Sequence, residues 1–341
     1  MTQRLSGMSA IGSLALATIL AGTFVGYGCG DDEPSTPGNP DAPTSNHPDG
    51  GTSADGATAS GTYSHYVTNT LAVGPTADVN ALDIDGDGQP DDRLGILLIT
   101  LHVAGFDVDA TLATAVSAGD IVVLHSIKAT SLTSASSATW QVYVGDPKEN
   151  PDLTSGNGNF TVAGDSPTDA ILSGTIAGGQ FTGGPANVTL KLALIQGAEP
   201  ITLSLHGAHL QADVTAAGCT GGKLAGGITR TDLTGVILPA LATGLNDRID
   251  ADGTCKTDFS TCNSSNTAVL TTIDRAPSGN MNNQIEPDEI INNSLIGNFL
   301  VPDVDLLDAN MQPGPDGTKE SISIAVGFEC TKAVFTASSE H

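Results

Sequence analysis

Residues 186–210 read Ala-Asn-Val-Thr-Leu-Lys-Leu-Ala-Leu-Ile-Gln-Gly-Ala-Glu-Pro-Ile-Thr-Leu-Ser-Leu-His-Gly-Ala-His-Leu, two apolar runs (186–195 and 200–210) separated by Gln-Gly-Ala-Glu. Leu190, Leu192 and Leu194, then Ile201, Leu203 and Leu205, recur at every second residue. That period turns one face of a strand to a core and the other to water. The same kind of run appears at 120–128 (DIVVLHSIK), 139–144 (TWQVYV) and 321–328 (SISIAVGF), bounded by Gly, Pro and Asp clusters. Helical spacing is confined to 92–103, to 108–117, to 232–249, where Pro239 predicts a kink, and to 287–299, with Pro287 at a favourable first position. Many strands with a few separated helices predict an α+β fold, predominantly β, with sandwich-like antiparallel sheets and short helices next to acidic loops.

Composition supports a turn-rich fold: 41 Gly and 18 Pro in 341 residues, with 39% hydrophobic content arguing against disorder throughout. Against 12 basic residues stand 38 acidic ones, a net charge of −26. Such a surface repels phosphate backbones and anionic lipid head groups, so no nucleic-acid partner is expected, and cations are the natural ligands.

Residues 1–28 carry Arg4 and an apolar run from Ile11 to Val25, the layout of a secretory signal peptide. The run ends at Gly26-Tyr27-Gly28-Cys29, which looks like a bacterial lipoprotein processing site with Cys29 as the acylated residue. The rival reading is an ordinary secretory signal cut nearby. Residues 29–61 are rich in Asp, Pro, Ser, Thr and Gly and read as a disordered acidic tether. Residues 62–341 are then a single globular β-rich domain, held by its lipid to the outer membrane or cell surface. Cys219, Cys255, Cys262 and Cys330 remain, an even number in an exported chain, and two disulfides are expected. The short spacing favours Cys255 with Cys262, which leaves Cys219 with Cys330; a zinc site is disfavoured because no C-x-x-C pair is present.

Asp83-Ile84-Asp85-Gly86-Asp87-Gly88-Gln89-Pro90-Asp91-Asp92 follows a D-x-D-x-D-G-x-x-D pattern. Positions one, three and five (Asp83, Asp85, Asp87) converge on one point, and the glycine at six brings in the Gln89 carbonyl and the Asp91 carboxylate, the chemistry of a Ca2+ loop. Like charges about 4 Å apart repel by roughly 4 kcal/mol at an effective dielectric near 20, so this acid density calls for a cation. The motif resembles EF-hand, dockerin and thrombospondin-type calcium loops, with Leu94 where an EF-hand has its bidentate Glu. A solvated Asp-Gly turn capping the following helix is the plainer reading. Residues 278–289 match the EF-hand register more loosely, with Asn280, Asn282, Gln284 and Glu289 as ligands, Ser278 in place of the first Asp and Asn283 in place of the Gly. Looser acidic clusters lie at Asp303, Asp305, Asp308 and Asp316 and at Asp250, Asp252 and Asp258, where plain turns are the simpler reading.

The stretches DVNALDIDGDGQPDDRLGILLITL (78–101), GKLAGGITRTDLTGVILPALATGL (222–245), NNQIEPDEIINNSLIGNFLVPDVDL (282–306) and DGTKESISIAVGF (316–328) together resemble a set of surface lipoproteins found in myxobacteria and related predatory deltaproteobacteria. The resemblance spans most of residues 78–335. It implies calcium loops at Asp83, Asp85, Asp87 and Asp91 and at Asn280, Asn282 and Glu289, and an exported β-rich domain. It implies no reaction.

Signs of catalysis are thin. Gly164-Asp165-Ser166 is like the nucleophile block of GDS-type esterases but has no downstream D-x-x-H. His206 and His209, three apart in a strand, are expected on opposite faces; His102 and His125 fall in apolar segments and read as core or edge residues. No G-x-S-x-G or H-E-x-x-H occurs. The sequence thus reads as a lipid-anchored, calcium-binding surface protein, with a protein or glycan ligand and a binding, adhesion or envelope role, rather than as an enzyme. The alternative is a secreted carboxylate-dependent hydrolase acting on polysaccharide or ester substrates.

Overall fold

Alternating runs pair with their neighbours in the chain. In the computed structural model, which describes residues 59–74, 79–103, 107–194 and 200–336, they form β1 (Thr62–Ala72), β2 (Val123–Ala129), β3 (Ser134–Val144), β4 (Gly158–Asn159), β5 (Ile171–Ala177), β6 (Gln180–Leu192), β7 (Ile201–Val214), β8 (Gly218–Thr229) and β9 (Ser321–Val334). The expected signal peptide, Cys29 and nearly all of the expected tether lie outside the described residues. The fold is predominantly β with short helices, as expected. Its sheet runs β1-β2-β3-β5-β6-β7-β8-β9, all antiparallel, and β9 pairs back on β1. Eight strands therefore close into an up-and-down ring, where the sequence suggested two sandwiched sheets; closure removes both edges of the sheet. The two-residue β4 lies outside the ring, parallel to the end of β9.

Side-chain alternation gives the ring its inside and outside. Tyr66, Trp140, Leu172, Phe181, Leu210, Leu224 and Val326 point inward and are buried. Outward positions on β5 to β7, such as Ser173, Thr175, Thr182, Thr202 and Ser204, are exposed and polar. A lipid-facing barrel carries an apolar band outside, so this outer wall is built for water. Elsewhere the wall is covered. Phe160 and Phe335 pack on Leu124 and Tyr143, while Ile84, Leu306 and Leu307 pack on Ala225 and Ala325.

One end of the ring has only tight connections, at 130–133, 178–179 and 215–217. From the other end leave the long ones, and they carry the helices: α1 (Arg93–Val103), α2 (Val108–Ala118), α3 (Arg230–Asp232), α4 (Leu238–Asp250), α5 (Ser264–Thr272) and α6 (Pro287–Ile291). Leu94, Leu97, Leu112, Leu241 and Leu245 from these helices share one buried cluster with the ring interior. At Pro239 the expected irregularity takes the form of a π-helical turn, Leu233–Ile237, in which Leu238 N–H reaches back to Leu233 C=O. The wider turn absorbs the donor that proline lacks. The helix expected over 287–299 stops at Ile291 and resumes as a 3₁₀ turn at Gly297–Leu300. Asn293 breaks it: its side chain accepts from Leu295 N–H and Ile296 N–H and donates to Thr272 C=O.

Closure is staggered, and the stagger positions the acidic loop. β1 ends at Ala72 opposite Gly327, so residues 321–326 of β9 run on past it. There Ala325 N–H donates to Asp92 Oδ1 (2.9 Å) and Ser323 N–H to Asp303 Oδ1 (2.8 Å). Two carboxylates thus do what a neighbouring strand would do, and the sheet edge is left with no open template.

Candidate metal centre

Residues 82–92 form a tight loop closed by an antiparallel bridge between Leu82 and Asp91. Ile84 anchors it in the cluster over β8 and β9. Asp83 accepts from Gly86 N–H (2.8 Å) and Gly88 N–H (3.0 Å), Asp85 from Asp87 N–H (3.1 Å), and Asp91 from Ile84 N–H (2.9 Å). Gly86 and Gly88 have φ of 80° and 84°, so the chain turns where only glycine turns freely. As a result one carboxylate oxygen each from Asp83, Asp85 and Asp91 lies within 4.8 Å of the others.

The other residues expected in that set stand differently. Asp87 is exposed and its carboxylate accepts from Gln89 N–H (2.8 Å); Gln89 is itself exposed. Leu94 is buried in the core. Asp92 faces β9 and caps α1 through Gly95 N–H (3.0 Å). Burial lifts the Asp91 carboxyl to about 6, with backbone Ile84 N–H opposing, and the charges of Asp85, Asp303 and Asp87 add to the rise. Lys319 Nζ stands 3.7 Å from Asp85 Oδ2. Beside the loop is a cleft of about 290 Å³ lined by Asp91, Asp92, Asp303, Arg93 and Lys319. Asp303 is tied down within it by Ser323 N–H and the Ser323 hydroxyl.

The second loop is held by groups the sequence reading missed. Asp274, four residues before Ser278 and fully buried, accepts from Asn282 N–H (2.9 Å) and Asn283 N–H (3.2 Å). It thereby takes the place of the carboxylate that Ser278 lacks. Asn280 and Asn282 make the same local turns as Asp85 and Asp87, accepting from Asn282 N–H and Gln284 N–H. Asn283 adopts φ 62° in place of the expected glycine. Buried Glu289 accepts from Asn280 N–H (2.9 Å) and Glu286 N–H (3.0 Å), closing a capping box at α6. Arg275 pairs with Asp274, hydrogen-bonds Asn283 and lies over the Phe259 ring, 3.7 Å from its centroid. A guanidinium therefore sits where the loop's negative charge collects.

The looser acidic clusters are turns. Asp305 accepts from Asp316 N–H and Gly317 N–H, Asp308 from Asn310 N–H and Gln312 N–H, and Asp258 from Ser260 N–H. Both disulfides are present, Cys255–Cys262 and Cys219–Cys330, the latter joining residues opposite each other on β8 and β9. Asp252 lies beside the first pair, but its sulfurs are spent on each other. The two bridges fit an oxidising, extracytoplasmic compartment. Among the described residues no helix is long and apolar enough to cross a membrane.

His206 and His209 differ from expectation. His206 pairs with Gly227 and His209 with Ala225, so three steps on β7 match two on β8. The extra residue is a bulge at Gly207, φ 56°, and it returns both imidazoles to the same outer face while Leu205, Ala208 and Leu210 point inward. His125 is buried inside the ring, as expected. Compared with protein-family models, curated proteins and solved structures, the chain matches none.

Proposed function

We propose that the chain is an exported surface protein, lipid-anchored through Cys29, that binds Ca2+ at the 83–91 loop and serves a binding, adhesion or envelope-structural role toward a protein or glycan ligand. The observation that carries the reading is the convergence of Asp83, Asp85 and Asp91 oxygens within 4.8 Å in a loop pinned to the barrel wall. Three carboxylates so close repel one another, and a hard divalent cation with oxygen ligands relieves that repulsion. Because Asp92, which seals β9 together with Asp303, follows directly on this loop, an ion there also stiffens the ring's closure. The polar outer wall is the surface offered to a ligand.

The calcium reading is tested by thermal unfolding of the full chain with calcium and with excess chelator. At a calcium concentration about 100-fold above Kd the ion should add about 2.7 kcal/mol. Asp85→Asn should remove most of that gain, whereas Asn280→Ala should retain it. An identical midpoint in calcium and chelator would exclude the site. For the anchor, cells fed a labelled fatty acid should label the wild-type chain and leave Cys29→Ser unlabelled. Label retained in the variant would refute acylation at Cys29.

A further inference from the structure

The bulge at Gly207 creates a feature unrelated to the oxygen chemistry of the acidic loop. His206 and His209 project from the same outer face of β7, opposite positions two residues apart on β8. A two-residue step along a strand is about 6.6 Å, so two imidazoles leaning toward each other can reach one ion at about 2 Å per bond. The residue in the bulge is Gly207, over which Leu306 packs, and the residue under His209 on β6 is Gly184, where a Cβ would fall 2.7 Å from His209 Cδ2. Both rings are half-buried, which limits the rotamer freedom lost on chelation while leaving an approach from solvent.

We propose that His206 and His209 form a two-imidazole site for a divalent transition-metal ion of the borderline class, Ni2+, Cu2+ or Zn2+, on the outer wall of the barrel. Nitrogen donors select these ions over Ca2+, so the site is distinct from the proposed calcium loop. Water or a donor from a bound partner completes the coordination, which makes this patch a place where a ligand could bridge to the protein through the metal.

The test is titration of the tag-free full chain with Ni2+ at pH 7.5 in excess calcium, followed by calorimetry. One ion should bind, and His206→Gln and His209→Gln should each weaken it at least tenfold, because a chelate becomes a single imidazole contact. Asp83→Asn, which disables the proposed calcium loop, should change Ni2+ affinity only a few-fold, so failure of one site is separable from failure of the other. In the wild-type chain, substoichiometric Ni2+ should broaden the imidazole NMR signals of His206 and His209 first, a readout that requires no variant to fold. Broadening that begins at His47 or His341, Ni2+ affinity equal in wild type and in the double variant, or Ni2+ binding abolished by calcium would each overturn the proposal.

Discussion

His125 lies at 2% exposure in the ring interior, and its partners fix its protonation. The Trp140 indole N–H can only donate, and it donates to Nδ1 (3.1 Å), so Nδ1 carries no proton. Nε2–H then donates to the Thr68 hydroxyl (2.8 Å), and the ring stacks on Phe328. Burial without a counter-charge lowers the imidazole to about 3. The unfolded chain takes up this proton near pH 6.5 and the folded chain does not. The stabilisation is therefore complete above pH 6.5 and declines between 6.5 and about 3, by at most about 1.4 kcal/mol per pH step. Urea midpoints of wild type should fall over pH 6.5 to 4.5 more steeply than those of His125→Gln, which starts lower at pH 7.5 because the Trp140 and Thr68 contacts are weakened. Parallel slopes would show that another group governs acid unfolding.

Among the elements, loops 83–91 and 278–289 show how similar local turns can carry different electrostatics. Loop 83–91 brings three carboxylate oxygens together, with Lys319 only at its rim. Loop 278–289 has Arg275 wedged between Asp274, Asn283 and the Phe259 ring. Arg275→Ala should cost about 1–3 kcal/mol, since buried Asp274 loses its charged partner and the ring its cation contact. Chelator should leave that loss unchanged; a variant that calcium fully rescues would mean that the arginine merely substitutes for an ion. The sequence made the regular parts of this picture legible. Asp83-x-Asp-x-Asp-Gly fixes its own turn through short-range N–H contacts, and α1 and α2 follow from their spacing. What escaped is what depends on distant partners. Asp274 lies outside the loop register that it completes, and the HxxH pair changes faces because of one bulge. Strand β8 was hidden by its glycines, of which Gly222 leaves room for the Phe328 ring, 2.7 Å from where a Cβ would sit. Strand β1 was hidden by its polar residues, of which Thr68 is buried and pairs with His125 in the ring interior.

At the scale of the whole molecule, β1 is the piece that converts a long antiparallel meander into a closed barrel. Its register runs from Thr62 opposite Ala129 on β2 and from Tyr66 opposite Lys332 on β9. The pairing of the first strand with the last is the most non-local contact in the sheet and is the reason closure could not be read from local patterns. Tyr66 adds an inward anchor through its hydroxyl, which donates to Thr215 C=O (2.8 Å) at the end with the tight connections, next to the Cys219–Cys330 bridge on the neighbouring strands. Removing residues 1–58 leaves every one of these contacts in place, so the remaining chain should unfold with the midpoint of the full chain to within about 2 °C, less than a 1 kcal/mol change produces in a domain of this size. Removing residues 1–72 instead strips β2 and β9 of a partner at once, exposes two edges and takes Tyr66, Val67 and Leu71 out of the core. Each such large-to-nothing loss costs about 2–5 kcal/mol, and the three together match the roughly 5–15 kcal/mol that holds a typical domain folded before the lost strand pairing is counted. Circular dichroism melting of the two truncations, with both disulfides intact, should therefore show a cooperative transition for the first and none for the second. A cooperative, unshifted melt without β1 would mean that the bridge between β8 and β9 and the helical end hold the sheet by themselves, and that the ring is stable as an open meander.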